Sequence, residues 1–420
     1  MKRYLEKAFD IGLFAYALFL PFSISGAQSA LGLLMGTWLV YVITQKQTGY
    51  KIRIIDPLII FYLIWVGIAV FFAVHPSIAL DHLKRYWIFL GYFAVARACM
   101  DRARTEKALR ILIISAGIIA IYGICQHFFG NDVPRYFAPK VDLYQKTGGY
   151  FHAVGLFDHH LTYGNSLLLI LLAGLGVTAA MGFHKKTIVY ALAIGFGCAA
   201  LTYSYARSAW MGFAAGILFF ALQLGKKVLV PVGIGFGALL AVAMVMSPTV
   251  NQRIQTMVSV SSNLERIVTW KTTVDMIEDY PIFGIGRGNY RRVAPQYRTG
   301  YNVHWTASSH AHNSYLQIGV ESGIAAMIAI GLLLLLLIRW AINAAAKASG
   351  ATRLILYGLI SAHGAFCVSS IFQHNLGDAE VAMTWFLIVA ATFAIGDHSA
   401  GSNDEAKNGS KEDVHAQKQG

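Results

Sequence analysis

The chain has 420 residues, 56% of them hydrophobic and 13% charged, with a mean hydropathy of +0.54 and a net charge of +13. A water-soluble protein of this length needs far more charge to cover its surface, so lipid must solvate much of this one. That excludes a soluble enzyme, and it makes the positive charge a question of membrane orientation rather than of nucleic acid, for which no role is expected.

Several apolar runs reach the roughly 18–20 residues that cross a bilayer as helix. The first begins near Ile11, carries Pro21 and is followed at once by another hydrophobic segment, so it reads as the first span rather than a cleavable signal peptide. Spans are expected near 8–22, 28–44, 57–74, 86–100, 109–129, 161–183, 187–204, 207–225, 228–247, 313–339, 354–372 and 378–396, about twelve transmembrane helices in an all-α polytopic protein. This divides the chain into N-terminal spans over 1–247 (about nine, with an outer loop near 130–160), a helical loop domain over 248–312, about three C-terminal spans over 313–396, and a polar tail over 397–420 expected to be disordered. The four cysteines lie in or beside apolar segments and read as small buried hydrophobes.

With the N-terminus inside, 21 of the 34 lysines and arginines fall on cytoplasmic segments, and both termini are cytoplasmic. Orientation does not explain an outer cluster of Arg253, Arg266, Lys271, Arg287, Arg291, Arg292 and Arg298. An anionic ligand explains it, or else neutralisation by the loop's own Glu265, Asp275, Glu278 and Asp279.

Candidate chemistry follows in chain order. "GLFDHHLTYGNSLLL" (155–169) puts Asp158, His159 and His160 at the outer end of a span. With His152, His310 and His312 they could form a metal site, but no ligand spacing of a known kind appears, and substrate contact or helix capping is the plainer reading. Arg207 stands in "LTYSYARSAWMG" between two uncharged apolar runs, where an arginine is costly unless paired, hydrated or snorkelling to headgroups. "SSNLERIVTWKTTVDMIEDYP" opens with a capping-box pattern, Ser262-x-x-Glu265, and runs at helical spacing to Pro281, aligning Arg266, Trp270 and Thr273 along one stripe. "YPIFGIGRGNY" (280–290), which holds Arg287, lacks the strand and Gly-Lys-Ser/Thr of a phosphate loop and reads as tight turns. "SSHAHNSYLQIGVESG" (308–323) places His310, His312 and Asn313 at the edge of a span. A histidine there is largely neutral at pH 7 and able to take a proton, although a capping or interfacial role fits equally. "FQHNLGDAEVAM" (372–383) brings His374, Asp378 and Glu380 to another outer span end, to orient a base, pair with loop arginines or cap a helix.

Taken together, "GLFDHHLTYGNSLLL", "YSYARSAWMG", "LERIVTWKTTVDMIEDYPIFGIGRGNY" and "AHNSYLQIGVESG" resemble, in that order, the O-antigen ligase and O-antigen polymerase family of bacterial inner-membrane glycosyltransferases, over roughly residues 150–396. Ligases of this family are similar in carrying His-Asn, nine residues, then Gly-x-x-Gly/Thr/Tyr. Here His312-Asn313 is followed by Gly323, with Ala326 at the last position, and Ala206 precedes Arg207 where the family tends to have serine. The resemblance implies a GT-C-like membrane fold with the loop domain and active site in the periplasm. It implies a glycan donor on undecaprenyl diphosphate and, for a ligase, the lipid A–core of lipopolysaccharide as acceptor, with membrane lipids around both. It also implies that Arg207 and Arg266 hold the donor diphosphate and His312 acts on the acceptor hydroxyl, in an inverting displacement with no metal and no cofactor. His160, Trp270, Arg287, His310, Asn313, His374, Asp378 and Glu380 are candidates for supporting roles, with Asn313 or Asp378 orienting the His312 ring.

Overall fold

The computed structural model describes residues 1–130, 146–147, 150–246, 251–252, 254–256, 259–298 and 310–416. Most of the outer loop expected near 130–160, and Arg253 of the basic cluster, lie outside the described residues.

The helices in chain order are α1 (Lys2–Phe19), α2 (Ile24–Gln45), α3 (Asp56–Ala69), α4 (Pro76–Leu83), α5 (Trp87–Ala98), α6 (Arg102–Phe129), α7 (His160–Met181), α8 (Lys185–Tyr203), α9 (Arg207–Leu224), α10 (Lys226–Met246), α11 (Val260–Asp279), α12 (Tyr290–Val293), α13 (Ser314–Lys347), α14 (Gly350–Phe372) and α15 (Ala379–Ala416). A two-residue antiparallel ribbon, β1 (Lys146–Thr147) with β2 (Tyr150–Phe151), pairs Lys146 with Phe151. The protein is a polytopic, all-helical membrane protein. Local chemistry sets the helix starts: the side chains of Ser23 and Asp101 accept backbone hydrogen bonds at the heads of α2 and α6, and Pro57 and Pro76 begin α3 and α4.

Each expected span coincides with a helix, but among the described residues eight, not twelve, are long and apolar enough to cross a bilayer: α2, α6, α7, α8, α9, α13, α14 and the first part of α15. For α1, α3 and α5 the reasons are length and charge. At 14 residues α3 is roughly 21 Å long, and α5 at 12 residues roughly 18 Å, against a hydrocarbon core of about 30 Å. The first turns of α1 hold Lys2, Arg3, Glu6, Lys7 and Asp10. One further expectation shifts. Val260 begins α11, so Ser262 sits inside the helix rather than at its cap. The helix α15 runs on into the polar tail as far as Ala416.

The first part of α15 is the centre of the bundle: every residue from Val381 to Gly396 is buried. Gly176 of α7 and Gly358 of α14 bring those helices into backbone contact, where a Cβ on Gly176 would meet the Leu354 carbonyl at 2.6 Å. At one end, Arg53, Arg97 and Arg104 are buried and ion-paired: Arg97 and Arg104 each reach Glu6 at 2.8 Å, Arg104 reaches Asp10 at 2.5 Å, and Arg53 holds Asp397. Basic residues assigned to orientation thus also lock α1, α5 and α6 together and tie α15 to the connection between α2 and α3. Asp397 lies 19 residues beyond Asp378, roughly 28 Å along the helix. Everything that gathers near Asp378 is therefore at the other end of the bundle.

A second, small core joins α11 and α12 to the head of α13: Met276, Ile277, Ile285, Tyr290, Val293, Ala311 and Val320. The glycine-rich stretch between α11 and α12 docks backbone to backbone on α13. Ile285 N–H donates to Val320 O (2.8 Å), Gly286 N–H to Glu321 O (3.1 Å) and Ile324 N–H to Pro281 O (2.8 Å). At that point α13 kinks at Gly323, φ +84° and ψ 171°. The tight turns expected from the sequence thus have a purpose, which is to seat α11 beside the start of α13.

Candidate functional site

Arg207 is the first residue of α9, reached through a sharp turn. Ser204 Oγ donates to Leu201 O and accepts from Ala206 N–H, and Tyr205 has φ +53°, unusual for a residue with a Cβ. Three side chains brace this turn: His160 Nδ1 lies 2.7 Å from Ser204 O, the Trp210 indole donates to Leu201 O at 2.9 Å, and Asn165 donates to Ser208 Oγ at 3.2 Å. The Arg207 guanidinium then reaches across to Thr256 O at 3.1 Å.

Arg266, on α11, lies with its guanidinium 5.9 Å from the Phe372 ring centre. Burial, and then the like charge of Arg207, lower its pKa. Among the described residues, neither arginine makes an ion pair. Two half-buried guanidiniums close enough to repel are unfavourable until an anion joins them.

His312 follows immediately. Burial and the Arg266 charge push its pKa below the ordinary histidine value, so the ring is neutral at pH 7. Its backbone is left-handed, φ +51°, which makes it, with Tyr205 and Lys46, one of three described non-glycine residues with positive φ. Strain of this kind concentrates at functional sites, and two of the three instances flank this one. Both neighbours are pinned. Ala311 O accepts from the Trp270 indole (3.1 Å), and Ala311 N–H donates to Gln317 Oε1 (2.7 Å). Asn313 Oδ1 accepts from Tyr315 N–H and Leu316 N–H at 2.9 and 3.0 Å. Asn313 is therefore the cap of α13, its side-chain oxygen committed to the first turn of the helix.

The partners of the ring come from the turn between α14 and α15. Gln373 lies near both His312 and Asp378, and the Asp378 carboxylate accepts from Thr162 at 3.2 Å. Ser314 stitches the turn to α13 by donating to Gln373 O and accepting from Asn375 N–H, each at 2.9 Å. Burial and the neighbouring Glu380 raise the Asp378 pKa to about 7. His310 packs edge-on to His312, ring centres 4.2 Å apart, and accepts its backbone N–H at 3.2 Å. Burial, then His312 and His159, hold the His310 pKa at about 3, and His374, 5.8 Å from His310, is likewise held low by burial. Both rings are neutral spacers at physiological pH.

The arrangement thus brings together Arg207, Arg266 and His312, with His160, Trp270, His310, His374 and Asp378 around them. Arg287 and Glu380 line a neighbouring cavity instead, with Arg287 packed 4.6 Å from the Tyr86 ring. Among the described residues no group of three or more His, Cys, Asp or Glu side chains is arranged to hold a metal ion. An apolar cavity of about 450 Å³ between α9, α13 and α14 is lined by Leu222, Gln223 and Ala346, far along α9 and α13 from Arg207 and His312. Sequence reasoning missed Gln373 and Tyr205. Gln373 is a polar residue at a span end like many others, and a left-handed backbone at a tyrosine leaves no compositional trace.

The fold and site together define a multi-pass membrane protein with a cationic, histidine-bearing site where α7, α9, α13 and α15 begin. Residues 188–331 match the family model described as O-antigen ligase, so over this region the chain is O-antigen ligase-like, and it carries Arg207, Arg266 and His312 within the match. Residues 14–131 match a family of unknown function. Comparison with curated proteins gives no match. The match supports a function of the O-antigen ligase or polymerase type in general, at a membrane.

Proposed function

We propose that the chain is an O-antigen ligase, a glycosyltransferase that moves a polysaccharide from undecaprenyl diphosphate to the lipid A–core of lipopolysaccharide on the periplasmic face of the inner membrane. The observation that carries this reading is that Arg207, reaching Thr256 O, and Arg266, packed by Phe372, lack ion-pair partners among the described residues and stand beside the His312 imidazole, with the charge of Arg207 bearing on Arg266. A diphosphate relieves that repulsion through charge-assisted hydrogen bonds and needs no divalent ion for its neutralisation. Four helix N-termini, those of α7, α9, α13 and α15, add positive dipole ends at the same level.

In the reaction, the acceptor hydroxyl oxygen attacks the anomeric carbon as the bond from that carbon to the phosphate oxygen breaks. The lipid diphosphate leaves with the electron pair, toward the two arginines, and the hydroxyl proton passes to His312. A single displacement inverts the anomeric carbon. Gln373, tied through its carbonyl to Ser314, is placed to orient the ring, and Trp270, Gln317 and Asn313 fix the backbone on either side of it. No cofactor takes part. Orientation rests on the basic network around Arg53, Arg97 and Arg104, which belongs on the cytoplasmic side, with the chain termini. In this reading 248–312 is the periplasmic domain.

The test is a lipopolysaccharide gel from the source bacterium with and without the protein, beside its undecaprenyl-linked glycans. Loss of capped lipopolysaccharide with accumulation of long lipid-linked polymer is the expected result. Collapse of the ladder to a single repeat on the core would instead mark an O-antigen polymerase. No change in either would redirect the search to a protein acceptor, as for an O-oligosaccharyltransferase, or to a glycan transporter.

A further inference from the structure

Beside the histidine site lies a cavity of about 340 Å³ that Arg207 and Arg266 do not line, within the size range of small-molecule pockets. Its polar lining is Gln28 from α2, Arg85 and Trp87 from the head of α5, Arg287, and Asp378 and Glu380 from the head of α15. The wall it shares with His312 is thin. Gly377 lines the cavity, and the His374 ring lies directly behind it, 2.1 Å from where a Cβ on that glycine would stand. His374 in turn approaches His310, which packs on His312. Asp378 is common to both spaces, since it lines the cavity and ends the turn that Ser314, two residues from His312, holds at Gln373 O and Asn375 N–H.

The chemistry of the lining is that of an anionic carbohydrate site. Arg287 has Glu321 nearby, whose carboxylate accepts from Gly288 N–H at 3.0 Å. Arg85 is exposed at the rim, so a second guanidinium is available to a carboxylate or phosphate. The Gln28 amide and the carboxyl groups of Asp378 and Glu380 suit sugar hydroxyls, and the indole of Trp87 offers an apolar face to a ring. We infer that this cavity is the acceptor subsite and that it takes an acidic sugar, bearing a carboxylate or a phosphate, whose neighbouring hydroxyl is delivered past Gly377 to His312. The assignment of an acceptor rests on the transferase reading above, whereas the binding of an acidic sugar does not.

Saturation-transfer NMR on the full-length protein in detergent micelles tests it, with glucuronate, glucose 6-phosphate and glucose as probes. At least one acidic sugar should give saturation transfer and glucose little. Arg85→Glu should weaken that binding at least tenfold, while Arg291→Glu, at an exposed arginine of α12 outside the cavity, leaves it unchanged. A stronger response to glucuronate assigns a carboxylate-bearing acceptor, and a stronger one to glucose 6-phosphate a phosphate-bearing one. Binding of glucose equal to that of the acidic sugars, binding of none of the three, binding unaffected by Arg85→Glu, or binding lost in Arg291→Glu would each overturn the inference. Because no turnover is needed, the two readings fail separately. A protein that binds acidic sugar at Arg85 but transfers nothing refutes the transferase reading alone, and transfer with an unchanged acceptor KM in Arg85→Glu refutes the subsite alone.

Discussion

Gly323→Ala should damage the protein out of proportion to the single methyl it adds. Its backbone, φ +84° and ψ 171°, lies in a region open to glycine almost alone, and an alanine held there costs about 1–3 kcal/mol. The new Cβ would also stand 1.8 Å from the carbonyl oxygen of Ile282, which must then move. That carbonyl lies in the stretch anchored to α13 by the three backbone hydrogen bonds at Ile285, Gly286 and Ile324, each contributing about 1 kcal/mol. Phe283, stacked on Phe72 with ring centres 4.1 Å apart, moves with it. The sum is about 4–6 kcal/mol, and it falls on the joint that seats α11, and so Arg266 and Trp270, against His312. In detergent, thermal unfolding should come on the order of 5 °C earlier, and glycan transfer should drop at least tenfold even in protein still folded. Ala326→Gly, a fully buried position one turn on, removes a methyl without touching the joint and should cost only about 1 kcal/mol. A Gly323→Ala protein with wild-type melting and wild-type transfer would refute the claim that this glycine sets the site.

Four further outcomes are expected. Transfer should fall as pH drops through the pKa of His312, which lies below 6.5; Arg266→Gln, by removing a repelling charge, should raise that pKa and shift the acid limb of kcat/KM toward neutrality, while the residual rate falls roughly 100-fold. The raised pKa of Asp378, about 7, means the folded state keeps a proton that the unfolded chain releases near pH 4, so this group lowers stability progressively between pH 4 and 7; Asp378→Asn should melt increasingly above wild type across that window and not below it, as calorimetry would show. Glu6→Gln leaves Arg97 and Arg104 without their shared carboxylate, and because Glu6 is itself partly exposed the loss should be about 2 kcal/mol by denaturant titration, with transfer by the surviving folded protein unchanged. Trp270→Phe keeps the packing against Phe372 but deletes the hydrogen bond to Ala311 O, and should lower kcat about five- to tenfold with little change in melting.

The helices were legible in the sequence because hydrophobic run length is a local property, and each expected span coincides with one. The span count was less so, because a run such as 57–74 is broken into α3 and a 3-10 turn by packing that no periodicity reports. The arginines and His312 stood out because charge beside long apolar runs is costly and therefore conspicuous. What they touch did not. Asn313 next to His312 looked like a partner for its ring, and its side-chain oxygen caps α13, whereas Gln373, some sixty residues on, is brought to the same place through its backbone bond from Ser314. Adjacency in sequence is strong evidence for helix capping and weak evidence for contact across a bundle. Arg287 shows the same limit: grouped by sequence with the donor arginines, it lies in the neighbouring cavity with Arg85.

The most direct test of the central claim is transfer by the purified protein from an undecaprenyl diphosphate glycan to lipid A–core, with a chelator present, comparing wild type with His312→Ala and Arg207→Ala. The account predicts a product of inverted anomeric configuration from wild type alone, with both variants folded and at least 100-fold slower. Transfer at the wild-type rate by His312→Ala would contradict it.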